Sequence, residues 1–119
     1  MMRLFALALA GCMLAVACAE PRATEPIARG AQVYREKSCA TCHLIGTDGG
    51  TAGPPLTHIG SVAETRKPGT SGEDYIRQSI LDPGAYVVPG YPDTMPRGLA
   101  RGLSQEDFDD LVRYLLTLK

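Results

Sequence analysis

The stretch Cys39-Ala40-Thr41-Cys42-His43 decides the reading of this 119-residue chain. Two thiols sit three positions apart and an imidazole follows at once. A structural zinc site would need a second pair of ligands. Downstream of the first twenty residues the chain adds only His58 to Cys39, Cys42 and His43. A thioredoxin-like C-x-x-C needs a βαβ setting, and no strand pattern is visible anywhere. A plain disulfide between Cys39 and Cys42 would leave the long loops around it unexplained. C-x-x-C-H is also the attachment signature of a c-type haem. In that chemistry the thiols reach the two vinyl groups on one porphyrin edge, and His43 offers a ring nitrogen to the iron.

The iron then needs a sixth ligand or an open position. Of the four methionines, Met1, Met2 and Met13 lie in the N-terminal segment, which leaves Met95 as the thioether. It sits in Tyr91-Pro92-Asp93-Thr94-Met95-Pro96, where flanking prolines stiffen the backbone as a ligand loop requires. The bland alternative for a lone methionine is a core gap-filler. His58 is the competing ligand, and a surface position is its ordinary alternative.

The N-terminus reads as an export signal. Met1-Met2-Arg3 is a short basic region, Leu4 to Ala17 is almost wholly apolar, and Ala17-Cys18-Ala19 offers a cleavage site before Glu20. Cys12 and Cys18 both follow lipobox-like residues, so lipidation at either is the alternative to cleavage after Ala19. A lipid there would hold the protein at a membrane surface without spanning it. The expected division is therefore a leader over 1–19, a linker over 20–26 with two prolines, and a folded domain over 27–119. Export places that domain in the periplasm or on the outer face of the cytoplasmic membrane.

Helical periodicity organises the rest. Ile27, Ala31 and Tyr34 share one face of a helix expected from Ile27 to about Lys37, with Gly30 between them. Residues 44 to about 70 are rich in Gly and Pro and are expected to be irregular, a length that suggests wrapping around something. A helix is expected over Gly72–Leu81, capped by Ser71, burying Ile76 and Ile80, and stopped by Pro83. The final helix starts at Ser104, with Asp107 approximating a capping box. Phe108, Leu111, Val112, Leu115 and Leu118 mark its apolar face.

Composition excludes some classes. The chain has a net charge of −1 and no Lys/Arg-rich run, so nucleic-acid binding has no electrostatic footprint. No long apolar stretch follows the leader. There is no Trp, and of two Phe and five Tyr one Phe lies in the leader. A core that thin gains from a large apolar cofactor.

Taken together, the residues from Ile27 to Lys119 resemble the class I c-type cytochromes, monohaem proteins with an all-α fold of three to four short helices and long loops. The family pattern matches Gly30 and Tyr34 on the first helix, Cys39 to His43, Gly53-Pro54-Pro55-Leu56, Met95-Pro96, and Leu111, Tyr114 and Leu115 on the last helix. The resemblance implies one covalent haem c on Cys39 and Cys42, iron held by His43 and Met95, and the Pro54 carbonyl accepting a hydrogen bond from His43 Nδ1–H. It implies close approach of the last helix at Gly30. Residues 79–96 are similar to cytochrome c domains serving bacterial respiratory oxidases.

The expected function is electron transfer, one electron at a time, with redox proteins and a membrane oxidase as partners. His/Met ligation raises the potential, and two filled axial positions leave no site for bond chemistry. The alternatives are a haem subunit of an oxidase or reductase complex, and a haem sensor with a labile Met95. Only Lys37, Lys67 and Lys119 are available as docking lysines, so Tyr86, Val87, Val88 and Pro89 are read either as an apolar docking face or as pocket lining. Arg66, Lys67 and Arg97 are candidate propionate partners.

Overall fold

The computed structural model describes residues 21–119. The expected leader and both of its cysteines, Cys12 and Cys18, lie outside the described residues. Four α-helices follow one another: α1 (Pro26–Glu36), α2 (Ile59–Arg66), α3 (Gly72–Leu81) and α4 (Gln105–Thr117), with a single 3₁₀ turn at Cys39–Thr41 between α1 and α2. Among the described residues the extended pairing is confined to one isolated bridge between Ile45 and Asp48. None of their helices is long and apolar enough to cross a membrane. The fold is all-α.

The frame is the crossing of α1 and α4. Gly30 makes it possible, because a Cβ there would collide with the Asp110 carbonyl. One turn on, Tyr34 meets Tyr114 edge to face with ring centroids 5.8 Å apart. Val33 and Val112 are fully buried at this crossing, and side chains of that size contribute about 1.5–3 kcal/mol each on burial.

A buried carboxylate sits at the same crossing. Asp110 has no exposed side-chain surface. Its Oδ2 accepts from Arg29 Nε at 2.6 Å, and its Oδ1 accepts from Arg113 Nη1 at 2.6 Å. Arg29 also reaches Glu106 at 2.6 Å. This network takes up the first turn of α1, so its buried face is Gly30, Gln32, Val33 and Tyr34. Ile27, expected on that face, is 42% exposed.

The segment before α1 also makes contacts. Arg22 pairs with Asp107, Ala23 N–H donates to Gln32 Oε1 at 2.9 Å, and Arg29 donates to the Thr24 carbonyl at 3.2 Å. Pro26 opens the helix, where its missing N–H costs nothing.

The stretch expected to be irregular contains α2. Its sequence, Ile59-Gly60-Ser61-Val62-Ala63, carries a weak apolar stripe and a glycine that looks like a loop residue. The glycine serves packing: a Cβ on Gly60 would strike the Leu116 carbonyl. Gly60 N–H donates to the Leu118 carbonyl at 2.7 Å, so the end of the chain lies across α2. Tertiary contact makes this helix where local pattern does not.

The other two helices lie where their signals place them. Ser71 Oγ accepts from Asp74 N–H at 3.1 Å and Ser104 Oγ from Asp107 N–H at 3.0 Å. Asp107 completes only half a capping box, since its carboxylate is engaged by Arg22. Arg77 ties α3 to α4 by pairing with Asp109 at 2.6 Å and lying over the Phe108 ring at 5.4 Å.

Replacing Asp110 by Ala leaves Arg29 without its buried partner, and the expected loss is about 3–5 kcal/mol in a denaturant titration. A loss below about 1 kcal/mol would reduce the network to an ordinary surface pair. Burial pushes the Tyr34 hydroxyl from 10.0 up to about 12, with charge on Cys39 and then on Tyr114 adding to the effect. The folded chain then keeps a proton that the unfolded chain releases. Stability from this source is full below pH 10 and falls as pH rises towards about 12. Tyr34→Phe should flatten that fall when unfolding is measured across this range.

Candidate cofactor site

The C-terminus of α1 delivers the motif. Lys37 N–H still bonds the Val33 carbonyl at 2.9 Å, but Ser38 adopts φ 56°, a left-handed conformation rare for a residue with a Cβ. That ends the helix and turns the chain into the short 3₁₀ turn. Within it, Cys42 N–H and His43 N–H both bond the Cys39 carbonyl, at 3.2 and 3.0 Å. Cys39 and Cys42 are free thiols, half-buried. Burial pushes the Cys39 thiol above its ordinary value, with the charge of Cys42 adding to the effect.

The following loop folds back onto this turn. Gly50 N–H donates to Ala40 at 2.8 Å, Gly53 N–H to Cys42 at 2.9 Å, and Leu56 N–H to Leu44 at 2.8 Å. The return brings Pro54 beside His43, with Nδ1 2.7 Å from the Pro54 carbonyl. A carbonyl only accepts, so Nδ1 carries the proton and Nε2 keeps its lone pair. Gly53 completes this arrangement. A Cβ on it would lie 2.6 Å from His43 Cε1, so the imidazole occupies space that any other residue would take.

His43 faces a cavity of about 350 Å³ whose walls are largely apolar, within the range of cofactor pockets. Every helix contributes to it: Tyr34 from α1, Ile59 from α2, Tyr75, Ile76 and Ile80 from α3, and Leu111 and Leu115 from α4. Cys39, Cys42, Pro54 and Met95 line it too, so all five residues singled out from the sequence meet at one place. Met95 is half-buried and packs against the core. The donor set fits a covalently held haem: two free thiols, an imidazole with an open Nε2 and a thioether around an apolar chamber. No group of three or more His, Cys, Asp and Glu side chains suited to a metal ion occurs among the described residues.

The remaining candidates separate cleanly. His58 is exposed at the start of α2 and does not line the cavity. Val87 and Val88 line it together with Tyr86, while Pro89 is exposed outside it, so the pocket-lining reading holds for the valines. Of the three cations, Arg66 lines the cavity. Lys67 bonds Gln78, and Arg97 bonds Asp93. Sequence reasoning missed the wall residues Ser79 and Tyr91. Ser79 falls three residues after the buried Ile76 and four after the buried Tyr75, a position that α3 periodicity could have flagged.

The model for the family described as Cytochrome c matches residues 27–119. Among curated proteins, "Cytochrome c oxidase subunit 2" of Alkalihalophilus pseudofirmus is 34% identical over 101 residues, covering 81% of this chain. The chain spans 27% of that relative's length. With the family match running through the whole described domain and the cavity built from its motif residues, the chain belongs to the cytochrome c family, proteins of haem-based electron transfer.

Proposed function

We propose that this chain is an exported electron carrier with one haem c, held on Cys39 and Cys42 and ligated through His43 and Met95, working in a bacterial respiratory or related chain. The observation that carries the reading is the convergence of those four side chains on one apolar cavity. The same reading divides the chain into a leader over 1–19, a link over 20–26 and the cytochrome c domain over 27–119. It locates the domain in the periplasm or on the outer membrane face, with a lipid at Cys18 or Cys12 as the alternative to cleavage after Ala19.

When bound, the haem supplies a one-electron couple between ferrous and ferric iron. The chain's own residues set the terms. Cys39 and Cys42 would hold the group through thioether bonds to its vinyl carbons, each formed by addition of S–H with no net redox change. Pro54 fixes the ring orientation and tautomer of His43, which leaves Nε2 free to ligate. Met95 offers a soft thioether that favours ferrous iron, and the apolar walls disfavour extra charge, so both raise the potential. Arg66, among the wall residues, is positioned to offset propionate charge. With His43 and Met95 both bound to the iron, oxygen and peroxide would find no vacant position, and the chain would carry electrons without making bonds.

The relative named for an oxidase subunit favours an oxidase-linked role, either as a carrier serving a membrane oxidase or as a haem subunit bound within such a complex. Purification separates these. A free carrier elutes as a monomer and reduces several acceptors, whereas a subunit copurifies with its complex.

Protein matured in a host competent for c-type haem should give a pyridine haemochrome spectrum of the doubly thioether-linked type. The oxidised form should show the near-infrared band of a thioether–iron bond. Met95→Leu should lose that band and lower the potential while leaving the haemochrome unchanged. Colourless protein from such a host would end the proposal. Gly53→Ala should destabilise the loaded protein by about 1–3 kcal/mol in guanidinium titration, the cost of overpacking against the imidazole.

A further inference from the structure

The loop carrying Met95 is held by an arginine that the chemistry above leaves unused. Arg97 sets Nη1 2.8 Å from Asp93 Oδ1 and Nη2 2.8 Å from Asp93 Oδ2. Nη1 also donates to the Met95 carbonyl at 3.2 Å. One planar guanidinium thus closes a bracket over residues 93–97, with Met95 at its centre. The guanidinium packs on Gly84, where a Cβ would collide with Nη2. Gly84 belongs to the segment just after α3, so the bracket is also seated on the body of the fold.

The loop has few other restraints. Pro92 and Pro96 fix φ but supply no N–H donors. Its own backbone contributes a bond from Thr94 N–H to the Pro92 carbonyl at 2.9 Å. The Asp93–Arg97 pair is exposed, with side chains 49% and 53% accessible. Exposed pairs add little to global stability. A two-pronged charge-assisted pair nevertheless fixes orientation, and here the orientation fixed is that of the Met95 backbone.

We propose that Arg97 is a positioning residue for Met95: by bridging the Asp93 carboxylate and the Met95 carbonyl, it sets how readily the thioether yields its place to another ligand. This rests on the Met95 ligation proposed above. Arg97 itself does not line the cavity, so its effect on Met95 runs through the loop.

The test uses the haem-loaded ferric protein, with imidazole as the competing ligand. Arg97→Gln should bind imidazole about tenfold more tightly than the parent, the factor that one lost charge-assisted hydrogen bond carries. Its near-infrared thioether band should weaken, while its melting temperature stays within a few degrees of the parent's. Asp93→Asn should move imidazole affinity the same way, and combining the two should add little, because both open one bracket. Arg97→Lys should fall between, since a point charge cannot satisfy both oxygens and the carbonyl. Imidazole affinity within about twofold of the parent in both Arg97→Gln and Asp93→Asn overturns the proposal, whatever happens to the melting temperature. A parent protein without the band overturns it together with Met95 ligation. A parent with the band and unaffected variants overturns the bracket alone.

Discussion

The imidazole of His43 is the fixed point of this molecule. Its Nδ1 lies 2.7 Å from the Pro54 carbonyl, and its ring fills the space where a Gly53 side chain would be. Those two contacts determine which nitrogen is protonated and which faces the cavity. The Cys39–Thr41 turn, the Ser38 break and the returning loop all follow from placing that ring. A loop rich in glycine and proline is what this demands, because the backbone must pass close to the motif on the way out and again on the way back. The absence of strong secondary structure between Leu44 and His58 is thus a consequence of the site.

A chain with so few aromatic residues gains its rigidity elsewhere. The α1–α4 crossing joins the start of the domain to its end, with Gly30 permitting contact and Asp110 locking it. Burying a carboxylate is costly unless it is paired and fully hydrogen-bonded. Asp110 meets that condition through Arg29 and Arg113. Tyr75, Ile76 and Ile80 of α3 and Leu111 and Leu115 of α4 belong to the core cluster and also line the cavity, so an apolar cofactor there would extend the core. In such a design, function and stability share the same side chains, and loss of one lowers the other.

Much of this was legible from the residues. The C-x-x-C-H run, the lone downstream methionine, the Ser71 and Ser104 caps and the apolar face from Phe108 to Leu118 are local signals, and local physics suffices to read them. The rest depended on partners distant in sequence. Arg29 and Asp110 look like ordinary surface charges until the helices cross. Ile27 has the spacing of a buried residue, but its turn is given over to ion pairs. Gly60 reads as loop until the C-terminal segment is seen lying over it, so α2 has no local signature. Arg97 was a plausible propionate partner by charge alone; its commitment to Asp93 becomes visible only when the Met95 loop is folded.

The proposed clamping of a haem between the His43 imidazole and the Met95 thioether is open to direct measurement. Proton NMR of the reduced, haem-loaded protein tests it most directly, because a methionine methyl bound at the iron lies over the porphyrin face and is shifted far upfield by its ring current. One such upfield methyl resonance is expected, absent from Met95→Leu. A spectrum with every methionine methyl at its ordinary position in the loaded protein would contradict it.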